Sequence, residues 1–436
     1  MFTVLLRGSL FAVLLSLFFM GGLVQAEDLI ISVQLDGAPE GKKDTLLSGL
    51  SIVKHQKNQL LSSKRIHCLH EQAVDELSEM LPVYGYYKAK VTSKLEKKDN
   101  IWLASYQLNL AEPVTIQAVN VTIEGEGLHD ESFQRLLENF PLKEGEVLNH
   151  GQYESAKKNL RRLAAERGYF DGELTEHRVE VSLANNKATI SLVYQSGVRY
   201  VFSKTVFPKT VINNELLLKL SPIKQGAPYL ASKVLALRSN LNNSGYFNSV
   251  SVTTLIDERQ NGVVPLAISL EPETQYRYSA GLGFGTDSGA RASLGWENRY
   301  VNNRGHRFSA GTKFSQIGNS LSADYQMPFW SPKISDVGFN AEFKNKDTDS
   351  SESRSFAVGS YYKTDRWGWN ETGSIKFLNE NFDVSEDDNT STLVIPSIAW
   401  SKTWADNSIY TRQGGRLSLS LSGANEAVLS DTTFAQ

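Results

Sequence analysis

The last third of the chain alternates apolar and polar positions with a period of two. The alternation is clearest in the segments 290–297, 307–314 and 321–329, where every second residue is apolar and most of the others are charged or small. This period predicts strands whose two faces meet different solvents. Segments of about nine to eleven residues are long enough to cross a bilayer when tilted. We therefore expect residues 275–436 to form an antiparallel transmembrane sheet.

Aromatic residues in this segment favour lipid over water on the apolar face. Six of the seven tryptophans lie beyond residue 275, and aromatic side chains recur where strands are predicted to end, as in the interfacial belts of membrane barrels. These residues are Trp296, Tyr300, Phe329, Trp330, Trp367, Trp369, Trp400 and Trp404. A soluble antiparallel sandwich, whose strands also alternate, is the alternative.

The first predicted strand of this segment differs from the others because one of its faces consists largely of glycine. Tyrosine and other apolar residues occupy one face, and three glycines occupy the other. Glycine lowers the intrinsic stability of a strand and leaves no side chain to lock its pairing. In a closed barrel, a weakly pairing first strand makes the closing seam openable. The residues predicted to mark this seam are Tyr276, Tyr278, Gly281, Gly283 and Gly285.

A Gly-aromatic-aromatic signature occurs three times upstream of this segment. The copies, spaced 83 and 77 residues apart, are Gly85-Tyr86-Tyr87, Gly168-Tyr169-Phe170 and Gly245-Tyr246-Phe247. Apolar residues four and eight positions before each glycine lie along one stripe of a helix. Each copy therefore predicts an amphipathic helix that ends at a left-handed glycine, with the aromatic pair packed back over the stripe.

Strand patterns around each signature complete a repeated unit of β-α-α-β-β order. One strand opens each unit, at 29–35, 115–123 and 200–207, and two strands follow each signature, such as 173–183 and 187–194. A period near 80 residues indicates an array of small domains. Such a unit is either part of a plain periplasmic adaptor or, because a three-stranded sheet has open edges, a module that accepts an added strand.

The N-terminus and the composition indicate export and exclude several classes of protein. An apolar run at 10–20, preceded by Arg7 and followed by small residues, predicts a secretory signal cleaved between Ala26 and Glu27. Forty-five basic against 48 acidic residues leave no excess positive charge for binding nucleic acid. A single cysteine, Cys68, excludes an internal disulfide framework.

The sequence offers no candidate for catalysis, cofactor binding or metal binding. It contains no Gly-x-Ser-x-Gly elbow, no His-Glu-x-x-His pair and no phosphate-binding loop. The segment 67–70 (His-Cys-Leu-His) has metal-ligand residue types, but adjacent ligands on a helix diverge, so a surface helix is predicted there. We therefore expect a protein that is not an enzyme, needs no cofactor and binds no metal. An exported hydrolase would need an acid or a nucleophile, and the sequence offers no candidate.

The three units resemble POTRA domains, the polypeptide-transport-associated modules. The resemblance rests on the β-α-α-β-β order, on the Gly-Tyr-Phe signature and on the stretch 144–149 (Glu-Gly-Glu-Val-Leu-Asn). Three such domains before a barrel resemble the TamA family of translocation and assembly module subunits, within the outer-membrane assembly superfamily related to BamA. The implied organisation is a signal peptide at 1–26, POTRA-like domains at 27–112, 113–197 and 198–274, and a partial outer-membrane β-barrel at 275–436.

This resemblance implies a location and a function. The barrel would lie in the bacterial outer membrane, in contact with its lipid, and the POTRA-like domains would lie in the periplasm. The protein would help to insert autotransporters and other unfolded outer-membrane clients through a seam between its first and last strands. Its first POTRA-like domain would contact the inner-membrane partner TamB. A two-partner-secretion or porin-like pore, which passes a substrate through the barrel lumen, is the alternative function.

The length of the last segment departs from the resembled family. At about 16 residues per strand and turn, residues 275–436 predict nine or ten strands, fewer than the family's barrel has. The Val-Arg-Gly-Tyr or Val-Arg-Gly-Phe loop motif of the family is absent. An open sheet edge in lipid leaves unsatisfied backbone groups. The sequence is therefore predicted to be the N-terminal portion of a longer protein, with a complete small barrel as the alternative.

Overall fold

The computed structural model describes most of the chain beyond the predicted signal. The described residues are 30–58, 61–99, 101–286, 289–329, 335–348, 351–384, 387–406 and 411–436. The predicted cleavage site between Ala26 and Glu27 and the predicted belt residue Trp330 lie outside them. The described residues form two compact units: the first holds 30–124 with 128–161 and 173–195, and the second holds 125–127, 162–172 and 196–436.

The first repeat is a three-stranded sheet packed against helices. Its elements are β1 Ile30–Asp36, α1 Lys43–Gly49, α2 Ser51–Lys54, α3 Ser63–Met80, β2 Lys90–Lys98 and β3 Ile101–Asn109. The strand order is β1-β3-β2, with β1 parallel and β2 antiparallel to β3. The Ser62 hydroxyl caps α3 by accepting a hydrogen bond from the Arg65 backbone N–H at 3.3 Å. The predicted apolar stripe of α3 is fully buried in the core.

The second repeat has the same order with one short and one long helix. Its elements are β4 Thr115–Glu124, α4 Glu131–Glu138, α5 His150–Arg167, β5 Glu173–Ser182 and β6 Lys187–Gln195. The strand order is β4-β6-β5, again with the first strand parallel to the last. Asp130 caps α4 by accepting a hydrogen bond from the Ser132 backbone N–H at 2.9 Å. The predicted stripe of α5 is buried.

The third repeat departs from the predicted three-stranded sheet. Its elements are β7 Val201–Phe202, α6 Asn214–Leu220, α7 Ala231–Asn243, β8 Phe247–Thr254, β9 Val263–Val264 and β10 Leu266–Pro272. The strands form two separate pairs, β7 with β9 and β8 with β10. The strands β9 and β10 are separated at Pro265, because proline has no N–H for the ladder. Among the described residues, no helix of any repeat combines the length and apolar character needed to cross a membrane.

The segment 67–70 lies in α3 and corrects one prediction. Cys68 is exposed, as on a surface helix, but His70 is buried against the sheet. The Nδ1 atom of His70 lies 2.9 Å from the Tyr106 hydroxyl. Burial lowers the pKa of His70 below its usual value. A satisfied core histidine therefore occupies this position, which the apolar spacing alone did not reveal.

The described residues from 276 onward form one antiparallel sheet of ten strands, each paired with its sequence neighbour. The strands are β11 Tyr276–Gly285, β12 Gly289–Asn298, β13 Arg307–Ser315, β14 Gly318–Phe329, β15 Ser335–Thr348, β16 Ser351–Arg366, β17 Trp369–Val384, β18 Asp387–Ala405, β19 Gly414–Ala424 and β20 Phe434–Ala435. The number agrees with the nine or ten strands predicted from the length of the segment 275–436.

The register separates the apolar and polar residues of this sheet onto opposite faces. One row of directly paired residues is Tyr278, Trp296, Ala310, Ala323, Ala341, Val358 and Phe377. The adjacent row, on the other face, is Arg277, Glu297, Ser309, Asp324, Asn340, Gly359 and Lys376. Because paired residues point to the same side, one face is continuous and apolar and the other is polar.

The hairpin between β13 and β14 has a two-residue turn. Gln316 and Ile317 make the turn, and Gly318 is the first residue of β14. A Cβ at Gly318 would lie 2.3 Å from the carbonyl oxygen of Asn345 on β15. Glycine is therefore needed there for the close approach of a neighbouring strand.

Candidate functional site

The strand β11 lies at one end of the sheet. It pairs with β12 over ten residues, from Tyr276 opposite Asn298 to Gly285 opposite Gly289. Strands β12 to β19 each have a neighbour on both sides, whereas among the described residues β11 has a neighbour on one side only. The outer edge of β11 therefore presents backbone N–H and C=O groups in the geometry that pairs with another strand.

The glycines of β11 are extended and are not required there by close packing. Neither Gly281 nor Gly283 has a positive φ. A Cβ at Gly283 would meet no atom within 4 Å, and a Cβ at Gly281 would lie 2.8 Å from the Ser293 hydroxyl oxygen, the end of a rotatable side chain. Their effect is thus to leave the polar side of the strand without side chains that hold it in place.

The apolar side of β11 is the most exposed part of the apolar face. The exposed fractions of Tyr278, Leu282 and Phe284 are 75%, 91% and 79%. At the opposite end of the strand, Tyr276 stacks on Trp296 with 6.2 Å between ring centroids, and Trp296 meets Phe308 edge-on at 5.5 Å. The strand therefore has an aromatic cluster at its start and isolated apolar side chains toward its glycine-rich end.

The start of β11 is held by the linker that connects it to the third repeat. The Glu273 backbone N–H donates to the Tyr246 carbonyl at 2.9 Å, and the Tyr300 hydroxyl donates to the Glu273 carbonyl at 2.9 Å. The Glu273 carboxylate also pairs with Arg299 at 2.7 Å. The backbone N–H of Thr274 and the Arg299 guanidinium lower the pKa of Glu273. The linker is therefore fixed by both of its backbone polar groups and by its charge.

The turn between β12 and β13 is seated on the same repeat. The Tyr246 hydroxyl donates to the Gly305 carbonyl at 2.7 Å, and the Tyr246 side chain is almost fully buried. The Arg307 guanidinium lies over the Tyr246 ring at 4.9 Å and donates to the Ser244 carbonyl. The Asn213 backbone N–H donates to Asn303 at 2.8 Å. These contacts join residues about 60 to 90 positions apart in sequence and could not be derived from local patterns.

A cleft of about 610 Å³ lies beside the glycines of β11. The basic residues that line it are Arg291, Lys313, Lys344 and Lys346, and none of its described lining residues is acidic. Lys344 also pairs with Glu342 at 2.9 Å. A cluster of this kind is stable only where water or an anion reaches it. The cleft supports a hydrated polar face.

The structure brings the three signature glycines to the left-handed conformation that was predicted, with φ of +89° at Gly85, +88° at Gly168 and +72° at Gly245. It corrects the prediction that both aromatic residues pack back on their own helix. The Tyr87 hydroxyl lies 2.5 Å from His150 Nε2 in the second repeat, and Phe170 packs 4.9 Å from the Tyr229 ring in the third repeat.

No metal site was predicted, and the described residues contain no group of three or more His, Cys, Asp or Glu side chains placed to hold a metal ion.

Comparison with known families covers more than half of the chain. Residues 32–110 match the family model described as POTRA domain TamA domain 1. Residues 114–195 and 200–272 each match the POTRA family model described as Surface antigen variable number repeat. The three repeats of this chain therefore belong to the POTRA domains.

One curated relative and one solved structure extend the likeness into the sheet. The outer membrane protein assembly factor BamA of Buchnera aphidicola subsp. Acyrthosiphon pisum (strain APS) is 20% identical over 328 residues, which cover 73% of this chain and 51% of BamA. The crystal structure of Haemophilus ducreyi BamA lacking POTRA domains 1–3 matches with a TM-score of 0.58 at 13% identity, over 73% of this chain and 64% of that one. CdiB from Escherichia coli matches with a TM-score of 0.45 at 12% identity, over 85% and 69%.

The chain is homologous to the BamA-like proteins of the Omp85 superfamily. Its fold is that predicted from the sequence: POTRA domains followed by an antiparallel sheet that matches part of a BamA-type barrel and is not closed in the described residues. The predicted outer-membrane location with periplasmic POTRA domains is confirmed by the same homology. The chain spans about half the length of the curated relative that it matches.

Proposed function

We propose that this chain belongs to a TamA-like assembly factor that helps to insert autotransporters and other β-barrel clients into the outer membrane. Its role is non-enzymatic, as in BamA and other Omp85 superfamily members, and it uses no cofactor. The observation that carries the proposal is the outer edge of β11, which has no neighbour among the described residues and carries only glycine on its polar face from Gly281 onward.

Strand addition at this edge supplies a physical mechanism for insertion. A client strand in water would form backbone hydrogen bonds with β11 before it meets lipid, where unsatisfied N–H and C=O groups cost several kcal/mol each. Glycine at Gly281 and Gly283 keeps the pairing of β11 with any one neighbour weak. The last strand of the full-length barrel and a client strand would then compete for the same edge.

The proposed partners follow from the domain order. The match of residues 32–110 to the first POTRA domain of TamA supports contact between this domain and an inner-membrane partner of the TamB type. The apolar face of the sheet would contact outer-membrane lipid.

Disulfide trapping in the full-length protein tests the function. Exposed Cys68 is first replaced by serine, and cysteines are then introduced singly at Ser279 on β11 or at Ser309 on β13. A client strand with one cysteine is expected to cross-link to position 279 during its folding. Position 309 is the matched control, since it is also a serine on the polar face but lies on β13, which has neighbours on both sides. Equal cross-linking at the two positions, or none at 279, would contradict the proposal.

A pore is the second candidate function, because the cleft on the polar face is lined by four basic residues. Single-channel recording of the full-length protein in planar bilayers tests it. A pore lined in this way would conduct anions in preference to cations, and Lys313→Glu would reduce that preference. A barrel that shows no conductance while it accelerates client folding would exclude the pore.

A further inference from the structure

The signature glycines share a backbone conformation with Gly145 and Gly226 but differ from these two in their surroundings. Gly145 and Gly226 also have positive φ, +85° and +76°, and a Cβ on either would meet no atom within 4 Å. A Cβ on each signature glycine would instead meet the module that follows it in the chain. The left-handed turn alone explains glycine at all five positions. It does not explain why the three signature glycines face the next module.

The first signature contacts the second repeat within the first compact unit. The Gly85 carbonyl accepts a hydrogen bond from the Val114 backbone N–H at 2.8 Å. A Cβ at Gly85 would lie 2.7 Å from the Leu148 carbonyl oxygen and 2.8 Å from Val147 Cγ1. Tyr87 adds its hydrogen bond to His150, at the first turn of α5. The contact thus includes a backbone hydrogen bond, and at Gly85 it leaves no room for a side chain.

The second signature repeats this arrangement within the second compact unit. The Gly168 carbonyl accepts a hydrogen bond from the Tyr200 backbone N–H at 2.9 Å. A Cβ at Gly168 would lie 2.7 Å from Tyr229 Cβ. Asp171, three residues on, accepts hydrogen bonds from the Tyr200 hydroxyl at 2.8 Å and from Arg259 at 2.7 Å. The equivalent atom of the signature therefore binds the first residues of the following repeat in both cases.

The third signature faces the transmembrane sheet. A Cβ at Gly245 would lie 3.2 Å from Arg307 Nη2. In place of the glycine carbonyl, the Tyr246 carbonyl accepts the hydrogen bond from the following linker at Glu273, and the Tyr246 hydroxyl binds Gly305. A Cβ at Gly305 would lie 2.4 Å from that hydroxyl oxygen, so only glycine fits at this position of the turn.

We infer that the Gly-aromatic-aromatic signature is the joint that seats each POTRA domain on the next module, and that its third copy fixes the turn of the sheet beside β11. The glycine both caps its helix and lets the next module approach to van der Waals contact. One carbonyl of the signature orients the entering chain by a backbone hydrogen bond. The inference stands on the contacts of the repeats and holds whether or not clients pair with β11.

Paired alanine substitutions distinguish the two roles of the signature glycine, which are contact with the next module and the left-handed backbone conformation. Gly85→Ala and Gly145→Ala impose the same left-handed conformation on alanine, because the two φ values differ by only four degrees (+89° and +85°). Only Gly85→Ala also pushes a methyl group into the second repeat. A difference between the two variants therefore reports contact with the next module.

The measurement is a distance distribution between spin labels placed at exposed Lys64 and Lys158 in the full-length protein with Cys68 replaced by serine. Gly85→Ala is expected to shift or broaden the distribution, and Gly145→Ala to leave it as in the parent. Tyr87→Phe, which removes the hydroxyl and adds no backbone strain, is expected to broaden it in the same direction. Identical distributions for the two alanine variants would overturn the inference.

Hydrogen exchange tests the third joint separately. Tyr246→Phe removes the hydroxyl that donates to the Gly305 carbonyl and retains the ring under Arg307. The amides of the turn 302–306 are expected to exchange roughly two- to tenfold faster, the effect of losing one hydrogen bond. Tyr229→Phe, which removes a buried hydroxyl bound to Thr254 elsewhere in the repeat, is the control. Unchanged exchange in 302–306 for Tyr246→Phe would contradict a joint at this position.

Discussion

The repeats and the sheet use the same apolar residues in opposite ways. In the POTRA domains, large side chains such as Leu77, Leu160 and Leu237 are fully buried beneath their own helices. In the sheet, equally large side chains such as Leu321 and Leu421 are exposed on one face. Among the described residues from 276 onward, only Ala357, Tyr361 and Ala424 are fully buried apolar residues. The difference indicates that the large apolar side chains of the repeats are buried in protein cores, whereas those of the sheet contact membrane lipid.

The largest expected effect comes from removing a buried side chain from the core of a repeat. Leu160→Ala is expected to lower the free energy of unfolding of the second repeat by about 2–5 kcal/mol, because it leaves a cavity in a close-packed core. Leu321→Ala on the sheet is the matched substitution. Lipid fills the space that it leaves, so its cost lacks the cavity contribution and is smaller. Chemical denaturation of the full-length protein in vesicles measures both, and equal losses would show that the two environments are alike.

A charged residue placed on the apolar face of the sheet tests whether this face contacts lipid. Leu321→Arg is expected to destabilise the protein folded in vesicles by about 2–4 kcal/mol if position 321 lies near the bilayer midplane. Ser322→Arg, one residue further on and on the polar face next to Glu342 of β15, is expected to change it little. Reversible urea titration in phospholipid vesicles provides the measurement. A larger cost at 322 than at 321 would assign the two faces the wrong way round.

Substitution of one glycine of β11 tests whether weakness of the first strand matters. Gly283→Val is expected to strengthen the strand by about 1 kcal/mol, because valine suits extended backbone and has free space there. We expect client folding to slow in consequence. Gly311→Val is the control, since a Cβ at Gly311 would make only ordinary contacts, the nearest 3.5 Å from the Ser322 hydroxyl oxygen, but Gly311 lies on β13 between two neighbours. Client folding rates that respond equally to both substitutions would remove the special role of β11.

The smallest expected effect concerns pH and lies in the second joint. The Tyr200 hydroxyl and the Arg259 guanidinium lower the pKa of Asp171 below its ordinary value of 3.8. The carboxylate therefore stabilises the folded protein above pH 3.8, and this contribution is lost as the pH falls through the lower folded-state pKa. The free energy of unfolding of the parent should exceed that of Asp171→Asn at pH 6, and the difference should shrink below pH 4.

The control for this pH dependence is Asp257→Asn, which removes a nearby exposed carboxylate. Its difference from the parent is expected to stay small across the same range. A difference between the parent and Asp171→Asn that grows as the pH falls would have the wrong sign for a carboxyl group of lowered pKa.

Much of the fold could be predicted because its signals are local. A stripe at four-residue spacing and a following glycine were enough to place α3, α5 and α7, and the alternation was enough to place the faces of β12 to β14. The interruption between β9 and β10 at Pro265 could also have been predicted, since proline has no N–H to donate to a β-ladder. The sequence pattern therefore determined the elements and the side of each that is apolar.

The contacts that hold the candidate site could not be predicted in the same way. Glycine has several uses, and nothing in the sequence distinguishes Gly318, which allows a close approach to Asn345, from a turn glycine such as Gly305. The partners Tyr246 and Arg307 lie about 60 residues apart, and their meeting depends on the packing of complete modules. The orientation of His70 into the core likewise depends on Tyr106 of a distant strand.

A scan of spin labels along β12 tests the central claim that the apolar face of the sheet meets lipid and the other face meets water. Single labels at 290 to 297, in the full-length protein with Cys68 replaced by serine, are measured in bilayers with oxygen and with a water-soluble nickel complex. The account predicts high oxygen accessibility at positions 290, 292, 294 and 296, and high nickel accessibility at 291, 293, 295 and 297. A profile without this period of two, or nickel access to both faces, would contradict it.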